Sequence, residues 1–498
     1  MKRLFFLLAA LLPLAQTQSL AQTPALSQDP QAQTPAQQYL ESQLQSGALK
    51  GAAVAVCAKD ARGRTVLELN AGMRLTPASN LKLITTGAAL HAFGPEHRFQ
   101  TSLGYTGSIG PDGTLHGDLY IVGGGDPTLG ARDSIAYKAD ALFWKWKTLL
   151  QQAGIRRVDG RIVGDGRAWE GHLENVSWSY DDTGTYYGAG SSALCFYENA
   201  IDLEVQAAAE GQPVLLTQTY PETPWLHLSN YSLTGPAGTG NSLYLYTTDL
   251  APYAELRGTF AADRRPKTEH FANKYGALTC AYYFWQNLCA TGWEVTGGCA
   301  DIARDGRIRG TDFVEREPAG VPEIIGSADS PSLARIARLT NFRSDNFYAE
   351  SLFRAMGEAA TGVAVYDSCR VAVADVLQGL GLDSEALRQE DGSGLSRMNQ
   401  VSPAFMVDFL QAMTGSPAFP AFLASLPHPG EGTLAVLRLA SPERICLKSG
   451  SMGGVLCYSG YILDGEGRPA ITLSFLCNSL LSSPAEVRAV FARLLTLL

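Results

Sequence analysis

Pro77-Ala78-Ser79-Asn80-Leu81-Lys82 sets a serine and a lysine three residues apart where the chain's pattern turns helical. Pro77-Ala78-Ser79 opens a predicted helix over 77–91, and Gly94-Pro95 ends it. Residues three apart project from one helical face, so the Lys82 amine falls beside the Ser79 hydroxyl. A lysine there acts as a base only if its pKa is lowered, and burial against a second cation does this by penalising the protonated form. Lys448, in Lys448-Ser449-Gly450-Ser451, offers that cation, and Ser344-Asp345-Asn346 stands between the two strings. In this order the three strings provide a nucleophile, a base, a proton shuttle and a cationic anchor.

The spacing is uneven, with 265 residues from Ser79 to Ser344 and 104 from Ser344 to Lys448. The first gap is long enough to hold a further domain, and 498 residues are too many for one ordinary core. Short β-rich runs at 51–56 and 65–69 flank the turn Asp60-Ala61-Arg62-Gly63 and predict an antiparallel hairpin. From about 100 to 267 the texture becomes strand-like and Gly-punctuated, with one helix over 139–153 between predicted strands at 117–122 and 160–164. Helical patterns return from about 269, notably at 333–340 and 347–358. Strands at 444–447 and 455–463 follow, and an amphipathic helix at 485–497 closes the chain.

Composition excludes several functions. A net charge of −9 without a basic run argues against a nucleic-acid partner, so an anionic substrate must meet a local positive site. Seven histidines lie scattered without a HxxxH or HExxH grouping and no cysteine pair has CxxC spacing, so neither a metal nor another cofactor is expected. Met1-Lys2-Arg3, an apolar run over 4–15 and Ser19-Leu20-Ala21 read as a signal peptide, residues 1–21, followed by a Gln/Pro/Thr-rich leader, 22–35. The apolar run is shorter than the roughly 20 residues a spanning helix needs, so a soluble exported protein without a membrane anchor is expected. Nine cysteines in an oxidising compartment leave at least one unpaired, and Cys446 and Cys457 are expected as free, buried thiols.

Each string also has an ordinary structural reading. Ser-Asp-Asn between two helices makes a good capping turn, and a tight turn there aims Ser344 and Asn346 into a cleft while Asp345 points elsewhere. Lys448-Ser449-Gly450 between two β-prone runs makes a hairpin edge, or an edge strand whose backbone pairs with an extended peptide.

Read with their surroundings, the strings resemble the class C low-molecular-mass penicillin-binding proteins, the D-alanyl-D-alanine carboxypeptidase/endopeptidases. The likeness also rests on Gly123-Gly124-Gly125-Asp126-Pro127-Thr128-Leu129, Ala349-Glu350-Ser351, Asp391-Gly392-Ser393-Gly394-Leu395-Ser396-Arg397 and Gly432-Thr433-Leu434. It implies an α/β (α+β) transpeptidase-like domain, an antiparallel sheet with helices plus an all-helical lobe. That domain is assembled from 36–99 and 269–498, with 100–268 as a strand-rich insertion of one or two subdomains.

By this resemblance Ser79 is the acylated nucleophile, Lys82 its general base, Ser344 the relay to the leaving amine and Asn346 a holder of the substrate amide. Lys448 binds the terminal carboxylate and tunes Lys82, helped by Ser449 and Gly450, and the backbone N–H groups of Ser79 and Ser451 form the oxyanion hole. Asp182 and Arg397 are candidate contacts to the distal amine and carboxylate of the stem peptide. The implied protein is a periplasmic peptidase acting on peptidoglycan stem peptides and acylated by β-lactam antibiotics.

Two departures bear on substrate preference. Lys-Ser-Gly replaces the usual Lys-Thr-Gly, and family members often carry a longer side chain near Met452-Gly453. A serine β-lactamase is the competing enzyme, yet Glu170-Gly171-His172-Leu173-Glu174 lacks the Asn of that class's Glu-x-x-Leu-Asn segment. A noncatalytic sensor would not need the full set. Asp391-Gly392-Ser393-Gly394 is not a Gly-x-Ser-x-Gly elbow, and Gly235–Ser242 lacks the lysine of a P-loop.

Overall fold

Alternation along the last three strands decides how the two faces of the main sheet are used. On Ile445–Met452 and Val455–Leu463, the side chains of Ile445, Leu447, Leu456, Tyr458 and Ile462 enter one core, and those of Cys446, Cys457, Tyr461 and Leu463 enter another. Lys448 follows Cys446 by two residues and therefore shares its face. The computed structural model describes residues 33–169, 171–302, 307–316 and 320–498. The expected signal peptide, the leader up to residue 32 and Glu170 lie outside the described residues.

The sheet has five strands in the order Thr65–Leu69, Ala53–Asp60, Pro469–Asn478, Val455–Leu463, Ile445–Met452, each antiparallel to its neighbours. Its first two strands are the expected hairpin, closed by the Asp60 carboxylate accepting from the N–H groups of Arg62 and Arg64 at 2.9 Å each. Helices Pro35–Ser46 and Pro484–Leu495 cover one face. The second begins with Pro484 after Ser483, which exchanges capping hydrogen bonds with Glu486. Phe491 of that helix stacks on Tyr458 at 4.3 Å, one of several aromatic burials worth about 1.5–3 kcal/mol each.

The opposite face meets the helical lobe: Lys82–Phe93, Leu333–Arg343, Asn346–Thr361, Tyr366–Gly379 and Pro403–Met413. Lys82–Phe93 is buried on nearly every side, which explains its run of Ala, Leu and Thr without a polar stripe. All nine cysteines are free thiols. Cys446 and Cys457 lie on adjacent strands but face Tyr461 and Gly450, so they are not cross-strand partners.

The inserted region reaches further than the expected 100–268. Its seven-stranded sheet runs Glu315–Arg316, Ile308–Gly310, Cys299–Ile302, Ile162–Asp165, Leu119–Val122, Gln100–Tyr105, Glu323–Asp329. Cys299–Ile302 pairs in parallel with Ile162–Asp165, and Glu323–Asp329 pairs antiparallel with Gln100–Tyr105, so residues up to 329 belong to this sheet. The helical pattern that suggested a return at 269 is Gly276–Ala290, and it packs on this sheet rather than on the catalytic lobe. Leu119–Val122 and Ile162–Asp165 are parallel neighbours joined across helix Ala139–Gln152, a βαβ unit. A second, smaller lobe has its own core of Ile201, Leu203, Val205, Leu245, Leu256, Phe260 and Phe271. Among the described residues no helix is long and apolar enough to cross a membrane.

Candidate active site

The predicted helix over 77–91 begins instead as a tight 3₁₀ turn, Ala78–Leu81, before the α-helix Lys82–Phe93. Ala78 has φ 46°, a left-handed conformation that L-residues adopt at a cost of about 1–3 kcal/mol. Two glycines press on this turn. A Cβ on Gly394 would stand 2.0 Å from the Ala78 carbonyl oxygen, and one on Gly450 would stand 2.4 Å from that of Pro77. Asn80, fully buried, donates to the carbonyls of Lys448 at 2.9 Å and Cys457 at 3.2 Å. The Ser79 turn is thereby clamped to the sheet edge, which carries Ser449, Gly450 and Ser451 alongside it.

Lys82 is completely buried. Its Nζ donates to Ser79 Oγ at 3.0 Å, Asn346 Oδ1 at 2.6 Å and the Ser393 carbonyl at 2.7 Å. Ser344 caps helix Leu333–Arg343 in the left-handed conformation, φ 62°, and its Oγ accepts from Lys448 Nζ at 2.9 Å. Asp345 turns away, accepting from the Tyr348 N–H as the cap of Asn346–Thr361. Asn346 bridges two parts of the chain, since its Nδ2 donates to the Tyr187 carbonyl of the insertion at 3.0 Å. Ser79, Lys82 and Asn346 thus form one hydrogen-bonded group and Ser344 with Lys448 a second, close enough for the Lys82 charge to act on Lys448.

Burial pushes Lys82 down to about 8, against the opposing pull of Asp391, Glu350 and Asp345. Lys448 is driven well below its usual value, by burial first and then by the Lys82 charge. Burial is the larger cause for both amines, and the repulsion between the two ammonium groups disfavours having both protonated at once. An amine near neutrality beside a hydroxyl at 3.0 Å can take its proton, and the second lysine can pass one through Ser344.

The acidic groups behind Lys82 are recognisable in the sequence only as parts of longer motifs. Glu350 accepts from the N–H groups of Ser393 at 2.7 Å and Gly392 at 3.2 Å. Burial and then Asp391 push it up to about 8. Asp391 accepts from Trp178 Nε1, Gly394 N, Ser396 N and Asn399 Nδ2, holding the glycine-rich turn that presents the Ser393 carbonyl. Ser177 Oγ donates to Ser396 Oγ at 2.6 Å, so the insertion docks on the same turn.

The two distal candidates lie within electrostatic reach of one another. Burial and Asp181 raise the Asp182 carboxyl, while the Tyr187 hydroxyl, at 3.3 Å, and the Arg397 charge oppose the rise. Exposed Arg397 donates to the Gly453 carbonyl at 3.3 Å, and a Cβ on Gly453 would come within 3.3 Å of its guanidinium. The short residue at this position therefore leaves the guanidinium room at the end of the edge strand.

A third group has no sequence signal of its own. Tyr197, Glu198 and Asn199 take successive left-handed conformations and place Glu198 against Arg132 at 3.1 Å, behind Asp345. Burial, and next the Asp345 charge, raise Glu198 to about 7. Arg132 and Glu198 share with Ser344 and Asn346 a cavity of about 230 Å³.

Comparison with known proteins agrees with this geometry. Residues 36–496 match the model of the D-Ala-D-Ala carboxypeptidase 3 (S13) family. The chain is 31% identical over 455 residues to a D-alanyl-D-alanine carboxypeptidase of Actinomadura sp. (strain R39), covering 88% of this chain and 80% of that protein. It is 23% identical over 427 residues to D-alanyl-D-alanine carboxypeptidase DacB of Haemophilus influenzae, covering 83% of each. The crystal structure of penicillin binding protein 4 (dacB) from H. influenzae superposes with a TM-score of 0.78 at 21% identity, over 91% of this chain and 98% of that one, and so shares the fold. With its extent matched from the first helix to the last, the chain belongs to the D-Ala-D-Ala carboxypeptidase 3 (S13) family.

Proposed function

We propose that this chain is a periplasmic serine peptidase that removes the terminal D-Ala from peptidoglycan stem peptides, and that also opens D-Ala to diaminopimelate cross-links. The observation that carries this reading is the buried Lys82 amine, lowered to about 8 and 3.0 Å from Ser79 Oγ. Ser79 Oγ attacks the carbonyl of the penultimate D-Ala while its proton passes to Lys82. The amide C–N bond then breaks, and the departing amine takes, through Ser344, the proton that Lys82 received. Water, deprotonated by Lys82, cleaves the ester and restores Ser79. The N–H groups of Ser79 and Ser451 are the proposed oxyanion donors, and one such donor is worth about 3–4 kcal/mol. Lys448 and Ser449 receive the terminal carboxylate, Asn346 the substrate amide, and Asp182 with Arg397 the distal end of the stem peptide.

A β-lactam presents a strained amide with a carboxylate in the same relation, so penicillin acylates Ser79 as a covalent inhibitor. Incubation with a fluorescent penicillin and, separately, with a pentapeptide ending in D-Ala-D-Ala tests the reading. A stable label with released D-Ala is expected. Neither label nor D-Ala would refute it, rapid penicillin turnover would mark a β-lactamase, and a label without D-Ala release a sensor.

Gly450→Ala tests the clamp on the Ser79 turn. With its Cβ 2.4 Å from the Pro77 oxygen, the edge strand or the turn must shift. A displacement of about 1 Å at reacting groups costs on the order of 10²-fold, so penicillin acylation followed by stopped flow should slow by about that factor. An unaltered rate would contradict the clamp.

A further inference from the structure

An open groove of about 530 Å³ lies in the inserted region, in the size range of ligand sites. Phe143, Tyr197, Tyr220 and Tyr283 wall it. Tyr220 stands edge-on to Tyr197 at 4.8 Å and to Tyr283 at 5.7 Å, so the rings hold each other in place, while Tyr220 stays 37% exposed. The polar part is equally distinct. Helix Ala139–Gln152 starts at the groove with no side chain capping its first turn, leaving backbone donors there. Asn287, another wall residue, has a buried Oδ1 without a hydrogen-bond partner. Lys138 and Asp140 cancel in charge. One turn beyond Asp140, on the helix face that Asp140 shares, Trp144 is 66% exposed, high for an indole.

Flat apolar faces beside amide and N–H groups, with no net charge, suit an uncharged amphipathic ring bearing hydroxyl and acetamido groups. An anion would lack a counter-charge here. The groove also borders the catalytic cleft. Ala131 and Tyr197 line the groove, and their chain neighbours Arg132 and Glu198 line the cavity beside Ser344 and Asn346. The Arg132 guanidinium lies 5.4 Å from the Tyr197 ring and 6.0 Å from that of Tyr186, filling the wall between the two spaces. We propose that this groove is a subsite for the N-acetylated amino-sugar rings of the glycan strand to which the stem peptide is attached. The proposal deepens the peptidoglycan reading and rests on it for the identity of the polymer.

The test uses the N-acetylglucosamine–N-acetylmuramic acid disaccharide without peptide and with its lactyl carboxyl capped as the amide, titrated into the full chain by calorimetry. Hydrolysis of free pentapeptide is compared with hydrolysis of polymeric uncross-linked peptidoglycan. Loss of one stacking ring should weaken disaccharide binding about tenfold in Tyr220→Ala and lower the polymer-to-pentapeptide rate ratio by a similar factor. Trp144→Ala, at an exposed position where folding is not at stake, should lower that ratio about threefold. Absence of disaccharide binding by the natural protein, or an unchanged ratio in both variants, would overturn the subsite. Failure of the peptidase reading appears separately, as no D-Ala release from free pentapeptide by the natural protein.

Discussion

Lys82→Met should slow acylation of Ser79 by penicillin by about 10⁴-fold or more, because the amine bonded to Ser79 Oγ is lost while the buried volume is kept. In the natural protein the rate should climb about tenfold per pH unit up to about 8 and then level, since only the neutral amine accepts a proton. Stability carries the same signature. The folded value lies below the ordinary 10.5, so between about 8 and 10.5 the unfolded chain binds the proton more strongly. The burial penalty is therefore full below about 8 and relieved as pH rises through that window, by about 3 kcal/mol in the limit. Denaturant titrations at pH 8 and pH 10 should show this slope in the natural protein and its loss in Lys82→Met. An acylation rate flat from pH 6 to 9 would remove Lys82 from the role of base.

Lys448→Met should lower kcat/KM for peptides ending in a free carboxylate by about 10²–10³-fold, the usual consequence of removing one partner of a buried charge pair. The same change should cost less than about tenfold on the C-terminal amide, which has no charge to lose. Lys448 is buried and repelled by Lys82, so in the empty cleft its protonated form is disfavoured. An arriving carboxylate reverses that balance. Equal losses on the acid and the amide would assign Lys448 to the proton path through Ser344 instead of to substrate binding.

The placement of the candidate residues was legible because each sits in a short string with strong local rules. Ser79 and Lys82 are one turn apart, Ser344 and Asn346 flank a helix cap, and Lys448 alternates onto the inner face of its strand. The limit of the insertion was not legible, since strand pattern alone does not say that Cys299–Ile302 will pair with Ile162–Asp165, more than a hundred residues earlier. Helix Gly276–Ala290 misled for a similar reason, as its apolar face fits either sheet. The groups around the candidate residues divide the same way. Ser393 and Glu350 lie within motifs that drew notice, but Tyr187 acts through its backbone carbonyl, which any residue supplies. Glu198 reaches its place through three left-handed residues that no glycine announces. The depth of burial that lowers Lys82 was not legible either, because it depends on the assembled core, which no motif makes visible.

Peptide mapping of the intact protein after brief exposure to benzylpenicillin is the most direct test that Ser79 is the nucleophile. Trypsin releases residues 75–82, in which Ser79 is the sole serine. That peptide should carry one penicilloyl group, and the intact Ser79→Ala variant should gain no mass. An adduct on another peptide, or equal labelling of Ser79→Ala, would contradict the assignment.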